Sequence, residues 1–406
     1  MRHVVSSLAV PSTINHGEKT LRLLVCFSHL RWNFVYQRPQ HLLSRAARHY
    51  RVYFVEEPIF ERSGVVPRLE LQIVAGGITV AVPVLPEGSS ESEIVDAQRA
   101  MLDELLSGAS GASTVFWYYT PMSLAFSDHV TPDLCVYDCM DELSTFRGAP
   151  PRLALLERKL FARADLVFTG GQSLYEAKRH RHPRVRAFPS SIDRAHFARA
   201  RAAPVTEPAD QAGLARPRLG FFGVIDERMD LDLVRQVAEL RPDWQLVMLG
   251  PVVKIDPASL PMRPNIHWLG GKSYERLPDY LAGWDVGIMP FAINEATRFI
   301  SPTKTPEFLA GGVPVVSTRI ADVVRPYGEA GLVEIAGQPA EFVAKAELLL
   351  RRPKGAWLER VDRHLAGMSW DRTWAEMHRA MRSGVPAETA IAAEVAITRA
   401  EGSARV

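Results

Sequence analysis

The chain has 406 residues, 47% of them apolar and 23% charged. That balance excludes a disordered polypeptide, and the length exceeds what a single core sustains, roughly 250 residues, so two domains are expected. Its 48 basic and 46 acidic side chains leave a formal charge of +2, which excludes the electrostatic footprint of a nucleic-acid binder.

The first stretch, residues 1–20, reads as an N-terminal extension. Its apolar run from Val4 to Val10 is broken by Ser6 and Ser7 and is too short for a signal peptide. No window approaches the roughly 20 apolar residues that span a bilayer. Cys26, Cys135 and Cys139 are an odd number of cysteines inside apolar segments, which argues against a disulfide framework and for a reducing compartment. Neither Cys135 nor Cys139 has the nearby His and Cys partners of a zinc site. A cytoplasmic protein is expected.

Short apolar runs then alternate with longer amphipathic ones, the pattern of parallel sheets with crossover helices. Strands are expected at Leu21–Phe27, Val52–Val55, Thr79–Val82, Thr114–Tyr118, Leu134–Tyr137 and Leu166–Thr169, with helices at Pro39–His49, Ser92–Leu106 and Arg152–Arg163. The run Lys178–Arg186 packs five permanent cations into nine residues. It reads either as a solvated helix end and loop or as a peripheral contact with an anionic membrane, at about 1 kcal/mol per charge near the surface. These residues, 21–200, form a first α/β domain. Residues 201–217, rich in Ala and Pro without an apolar face, read as a linker.

The cycle restarts in residues 218–355, with strands expected at Arg218–Phe222, Gln245–Leu249, Ile266–Leu269, Val286–Met289 and Val313–Val316 and helices near Leu231–Leu240, Tyr274–Ala282 and Thr305–Ala310. From about Pro339 the pattern is helical. Helices in 356–383 include one that Ser369 can cap, and 384–406 reads as a frayed tail.

The most informative stretch runs from Asn294 to Val316. A loop with Ser301 and Pro302 leads into a helix whose start favours an anion, because free amides and the helix dipole both point there. Lys304 sits in the first turn, and Glu307 lies one turn on, where a carboxylate can accept hydrogen bonds from a ribose diol. Gly311 and Gly312 end the helix and Val313–Val316 re-enter the sheet. Spacing alone fits equally a capped surface helix with an ordinary i,i+3 pair.

The stretch resembles the nucleotide-sugar motif of group 1 glycosyltransferases, N-x-x-T followed by P-x-K-x-x-E-[FY]-L-A-x-G-x-P-V-V. It is matched by Asn294, Thr297, Pro302, Lys304, Glu307, Phe308, Leu309, Ala310, Gly312, Pro314, Val315 and Val316. The resemblance implies the GT-B fold: two Rossmann-like domains facing across a cleft, with a C-terminal helix crossing back to the first. It implies a nucleoside-diphosphate sugar as donor substrate, no bound cofactor or metal, Lys304 on the diphosphate and Glu307 on the ribose, with Thr297 and Arg298 beside them. Many relatives carry a second glutamate eight positions before the first; here that position is Phe299.

Residues Asn265–Gly270, Leu277–Leu281 and Asp285–Pro290 resemble the family's base-pocket wall, and Gly220–Arg228 its opening strand and glycine loop. A small residue at Gly223 lets amides approach phosphate. The usual Arg and Lys pair after it is half present, as Arg228. Asp230 and Asp232 form a D-x-D that reads as a helix start rather than a metal site.

In the first half, Phe27–Leu42 places polar and aromatic groups after the first strand and contains Gln37-Arg38-Pro39-Gln40-His41-Leu42, similar to a segment of bacterial envelope glycosyltransferases. Arg38 and His41 serve either the cleft or the packing of the helix. An inverting transfer needs a base for the acceptor proton. Asp141 is the preferred candidate, His29 the alternative, and Asp138 can cap the next element instead. The implied acceptor is lipid-linked or glycan, in envelope or exopolysaccharide assembly. Rival readings are a non-hydrolysing sugar-nucleotide epimerase and a non-catalytic sugar-nucleotide-binding subunit.

Overall fold

The computed structural model describes residues 22–108, 111–202 and 206–384; the expected extension (1–20) and all but the first residue of the expected tail (384–406) lie outside them. Two sheets organise the chain. The first has nine strands: β1 (Arg22–Phe27), β2 (Tyr50–Val55), β3 (Ile59–Glu61), β4 (Arg68–Val74), β5 (Ile78–Pro86), β6 (Thr114–Tyr118), β7 (Leu134–Cys139), β8 (Leu166–Thr169) and β9 (Val185–Ala187). Their order is β3-β5-β2-β1-β6-β7-β8-β9, with β4 antiparallel against β5 and every other pairing parallel.

The second sheet holds six strands in the order β12-β11-β10-β13-β14-β15, all parallel. They are β10 (Arg218–Phe222), β11 (Gln245–Leu249), β12 (Ile266–Trp268), β13 (Val286–Met289), β14 (Val315–Ser317) and β15 (Val333–Ile335). Four strands had no sequence signal: β3, β9 and β15 are three residues each, and β4 is an edge strand whose central residues are exposed. Such short or half-solvated strands carry too little apolar pattern to stand out.

The central strands are apolar throughout because both faces of a parallel sheet are covered. Alternate residues of β1 serve opposite cores, since successive side chains point to opposite faces. Leu23, Val25 and Phe27 join Phe116, Tyr118 and Tyr137 on one side. Leu24 and Cys26 join Trp117 and Val136 on the other, and that second face is closed by Trp370, Trp374 and Met377. These three belong to the last helix, Trp370–Gly384, so the end of the chain packs on the first domain, against helix Arg38–Ala46 and strands β7 and β8. Ser369 Oγ accepts from the Arg372 amide at its start (3.1 Å), and Trp370 stacks on His41 at 4.7 Å between ring centroids. The three cysteines are free and buried.

Part of the stretch expected to be a linker packs on the second domain. Gln211, fully buried on the short helix Ala209–Ala212, accepts from Trp284 Nε1 (2.7 Å) and donates to the Tyr280 carbonyl (3.0 Å). No helix among the described residues is long and apolar enough to cross a membrane. The basic run is partly consumed by folding: Lys178 is buried between Glu142 (2.6 Å) and Glu157 (2.9 Å), and Arg181 also reaches Glu157 (2.6 Å). Those acids lie far back in the chain, where the local charge count does not see them.

The two domains touch through directed bonds. Helix Gln172–Lys178 has no side-chain cap of its own, and Asp322 of the second domain accepts from its first amides, Gln172 N (2.8 Å) and Ser173 N (2.9 Å). A carboxylate on uncapped helical amides satisfies orphan donors and opposes the positive end of the dipole. Arg325 reaches Glu176 of the same helix at 2.6 Å, and Ser190 Oγ donates to the Ser301 carbonyl at 3.2 Å. Asp322→Ala should therefore lower unfolding free energy by about 1–2 kcal/mol, the range for a lost cap. It should also increase the radius of gyration of the unliganded protein in small-angle scattering, whereas an unchanged radius would mean that this contact does not hold the domains together.

Candidate active site

In an open parallel sheet, ligands bind beyond the carboxyl ends of the strands, where successive connections turn in opposite directions. In the second sheet that point lies between β10 and β13, because the chain runs β10, β11, β12 outward and then returns to place β13 on β10's other side. The first sheet has its own switch between β1 and β6, flanked by β2 and β7. The cleft lies between the two. Phe222, Gly223, Arg228, Gly250, Pro251, Phe291 and Lys304 line it from the second domain, and Tyr36, Arg38, Met140, Asp141 and Gly170 from the first.

Two glycines shape the second-domain wall. Gly223, at φ 137°, follows β10, and a Cβ there would fall on Cε and Nζ of Lys304. Gly250, at φ 150°, follows β11, and its Cβ would strike the Gly223 carbonyl. Both conformations are closed to ordinary side chains. The Lys304 ammonium consequently lies against bare backbone, with the rings of Phe221 and Phe291 at 5.5 and 6.0 Å. It makes no ion pair among the described residues.

Lys304 opens helix Lys304–Ala310, on which Thr305 to Ala310 are buried and which no side chain caps. Glu307, one turn on, is 7% exposed. Burial pushes its carboxyl up, against the pull of Lys304. Burial and then Arg228 push the Lys304 ammonium down, against Glu307. Each charge thus supports the other in a site poor in water. Arg228 is oriented by Asp226, which takes its Nε at 3.0 Å and its Nη2 at 2.7 Å, and this grip leaves Nη1 without a partner among the described residues. Tyr274 completes the wall, stacked between Tyr36 (4.6 Å) and His196 (4.3 Å), with its buried hydroxyl unpartnered.

Opposite stands the loop after β7. Asp141 lines the cleft, and burial pushes its carboxyl up, opposed first by Arg228. Asp138 is fully buried and receives Arg38 Nε (3.1 Å) and Nη2 (2.9 Å), while Arg38 Nη1 donates to the Phe188 carbonyl (2.7 Å). The Gln37–Leu42 segment therefore anchors its helix to β7. His29 sits at the end of β1 with Nδ1 buried and unpartnered. Its imidazole is lowered to about 4 by burial and by Lys254, away from the range in which a general base is most effective.

Comparison with known proteins agrees with this architecture. Residues 216–352 match the family model described as glycosyl transferases group 1. A putative teichuronic acid biosynthesis glycosyltransferase, TuaH, of Bacillus subtilis is 26% identical over 299 residues, covering 69% of this chain and 70% of that protein. Sucrose-phosphate synthase of Thermosynechococcus elongatus superposes with a TM-score of 0.66 at 13% identity, over 89% of this chain and 98% of that one. A trehalose-6-phosphate structure from E. coli bound with UDP-2-fluoro glucose gives 0.64 at 13% identity, over 88% and 98%. Anabaena HepE in complex with UDP and glucose gives 0.64 at 12% identity, over 89% and 100%. The second domain is that of a group 1 glycosyltransferase, and the two domains together have the GT-B fold.

In this glycosyltransferase the cleft gathers Gly223, Arg228, Lys304, Glu307 and Asp141. His29, Thr297 and Arg298 are not among its lining residues. Thr297 is 1% exposed and forms a reciprocal capping box with Asn294, while Arg298 points outward beside Glu295 at 3.6 Å. Asp230 caps helix Leu231–Leu240 by accepting from Leu233 N (2.8 Å), and Asp232 pairs with Arg235, which explains the D-x-D as helix chemistry. Among the described residues no cluster of three or more His, Cys, Asp or Glu is placed to hold a metal. Sequence reasoning missed Gly250 and Tyr274 and placed Tyr36 only within the aromatic segment Phe27–Leu42; the Leu249-Gly250-Pro251 break after a strand was the available signal for Gly250.

Gly223→Ala should push Lys304 out of its groove and weaken UDP binding by calorimetry at least about tenfold, or 1.4 kcal/mol, with the fold retained by circular dichroism. Because the Lys304 ammonium is held below the ordinary lysine range, affinity for UDP should fall as pH rises through its titration, earlier than a free lysine would allow. Lys304→Arg, charged throughout, should remove this alkaline limb. Glu307→Gln should move it to lower pH by removing the carboxylate that sustains the ammonium.

Proposed function

We propose that this glycosyltransferase moves a sugar from a nucleoside-diphosphate donor, held by the second domain, to a lipid-linked or polysaccharide acceptor held by the first, in cell-envelope or exopolysaccharide synthesis. The observation that carries the reading is the Lys304 ammonium lying on the bare backbone of Gly223 at the switch point, one helical turn from Glu307. A diphosphate fits the ammonium, Arg228 and the amides of the glycine loop; a ribose diol fits Glu307. Departure of the nucleoside diphosphate leaves negative charge on its terminal phosphate, and fixed cations there stabilise the transition state more than the ground state. Asp141, facing this point with a carboxyl raised by burial, takes the acceptor hydroxyl's proton.

The printed titles of relatives support the same direction: teichuronic acid biosynthesis for TuaH, and UDP or a UDP-sugar in two of the superposing structures. A UDP-sugar is therefore the first donor to try. The three buried free thiols suit a reducing, cytoplasmic setting. A peripheral membrane contact would rest on the cations of the basic run that folding leaves uncommitted, Arg179 and Arg186 in particular.

The test is a thermal-shift titration with UDP-, GDP-, ADP- and dTDP-sugars on the wild type, Lys304→Ala and Glu307→Ala. A ligand at about 100 times its dissociation constant adds roughly 2.7 kcal/mol of stability. One nucleotide family should raise the melting temperature of the wild type and lose that effect in both variants. Binding that ignores both substitutions would place the donor elsewhere.

A further inference from the structure

The donor crevice does not use every cation at the cleft. The loop after β11 continues from Gly250 through Pro251, Val252 and Val253 to Lys254, tied to the loop after β10 by the Ile225–Val252 bridge and by Val253 N donating to the Ile225 carbonyl at 3.0 Å. Lys254 has φ 61° and is the one non-glycine residue with positive φ among those described. Lysine has no short polar group to compensate such a backbone, as Asn and Asp have. Residues held this way concentrate where a side chain has to be aimed.

The aim is across the cleft. Lys254 Nζ lies 5.0 Å from the ring centroid of Phe146, in the first-domain loop that also carries Asp141, and the Arg228 guanidinium lies 5.4 Å from the same ring. The two cations differ in one respect. Arg228 is held by Asp226, whereas Lys254 is exposed and makes no ion pair among the described residues. Its field reaches the first-domain wall: after burial, it helps lower His29, and it opposes the upward push of burial on Asp141 and Glu57. An uncommitted ammonium therefore faces the side of the cleft opposite to the diphosphate groove, beside the carboxylate assigned to the acceptor hydroxyl.

We propose that Lys254 recognises an anionic group, phosphate or carboxylate, on the acceptor and holds it beside Phe146, so that the acceptor's hydroxyl is presented to Asp141. This rests on the transfer reading above. A lysine serves as a point charge, so either anion is accommodated. Specificity then comes from two separated groups, an ammonium that requires negative charge and a carboxylate that requires a proton donor.

The test uses UDP-saturated protein titrated calorimetrically with glucose 6-phosphate, glucuronate and glucose, on the wild type, Lys254→Met, Lys254→Arg and Lys254→Gly. At least one charged sugar should bind the wild type about tenfold more tightly than glucose, and the preferred one tells phosphate from carboxylate. That preference should vanish in Lys254→Met and in Lys254→Gly, whose backbone suits the turn, and survive in Lys254→Arg, with the UDP dissociation constant unchanged throughout. Charged sugars binding no better than glucose, or a preference that persists in Lys254→Met, would overturn the proposal. Failure of the wild type to bind any nucleotide would instead sink the transfer reading on which it rests.

Discussion

The contact between Lys304 and the bare backbone at Gly223 is the constraint on which the rest of the cleft depends. A side chain at Gly223 would occupy the space of the ammonium, and one at Gly250 would displace the Gly223 carbonyl. Two adjacent strand ends thus give up side chains so that a third element, the helix Lys304–Ala310, can lay its first residue across them. The helix cannot drift, because Phe308 and Leu309 are fully buried and the Phe308 ring lies 3.2 Å from where a Cβ on Gly287 would stand. Rigid placement is what lets a single ammonium act as a preorganised charge rather than a flexible one.

The first-domain wall is held by a different device. Arg38 and Asp138 are both buried, and a buried ion pair is weak evidence for stability because desolvation offsets the attraction. Here Arg38 also donates to the Phe188 carbonyl, so one guanidinium ties a helix start, a strand end and the segment leading out of the domain. The pair's value lies in register: it sets where the loop after β7, and with it Asp141, stands relative to the second domain. The last helix contributes in the same way, stacking Trp370 on His41, while Tyr36 reaches over to Tyr274.

Much of this was legible in the sequence. Strands β6, β8, β10, β11 and β13 fall on the residues that their apolar runs predict, because fully buried parallel strands must be apolar on both faces. The helix with Lys304 and Glu307 was legible because its chemistry is contiguous. What depended on distant partners was not. Thr297 and Arg298 stand a few residues from Lys304, yet the capping box with Asn294 buries one and turns the other to solvent. The charge of Lys178 looked available until Glu142 from the loop after β7 and Glu157 from the helix Leu153–Arg163 closed on it. Tyr274 and Tyr36 lie far apart in the chain and meet only when the domains face each other.

Pairing sorts the charged residues that line the cleft. Arg38 is committed to Asp138, Arg228 to Asp226 and Lys272 to Asp210. The remaining three, Lys304, Glu307 and Asp141, make no ion pair among the described residues. Charged groups without an ion-pair partner in a buried crevice are candidates for contact with a ligand, which is the basis of the roles proposed for these three. Phe299 sharpens the point. Where many relatives place a glutamate, this chain has an aromatic ring packed against the first domain's core, which removes one anion from the donor side. With that carboxylate gone, the unpaired carboxylates lining the cleft are Glu307 within the second domain and Asp141 across from it, and under the transfer reading proposed above the burden of orienting an acceptor passes to the first-domain wall.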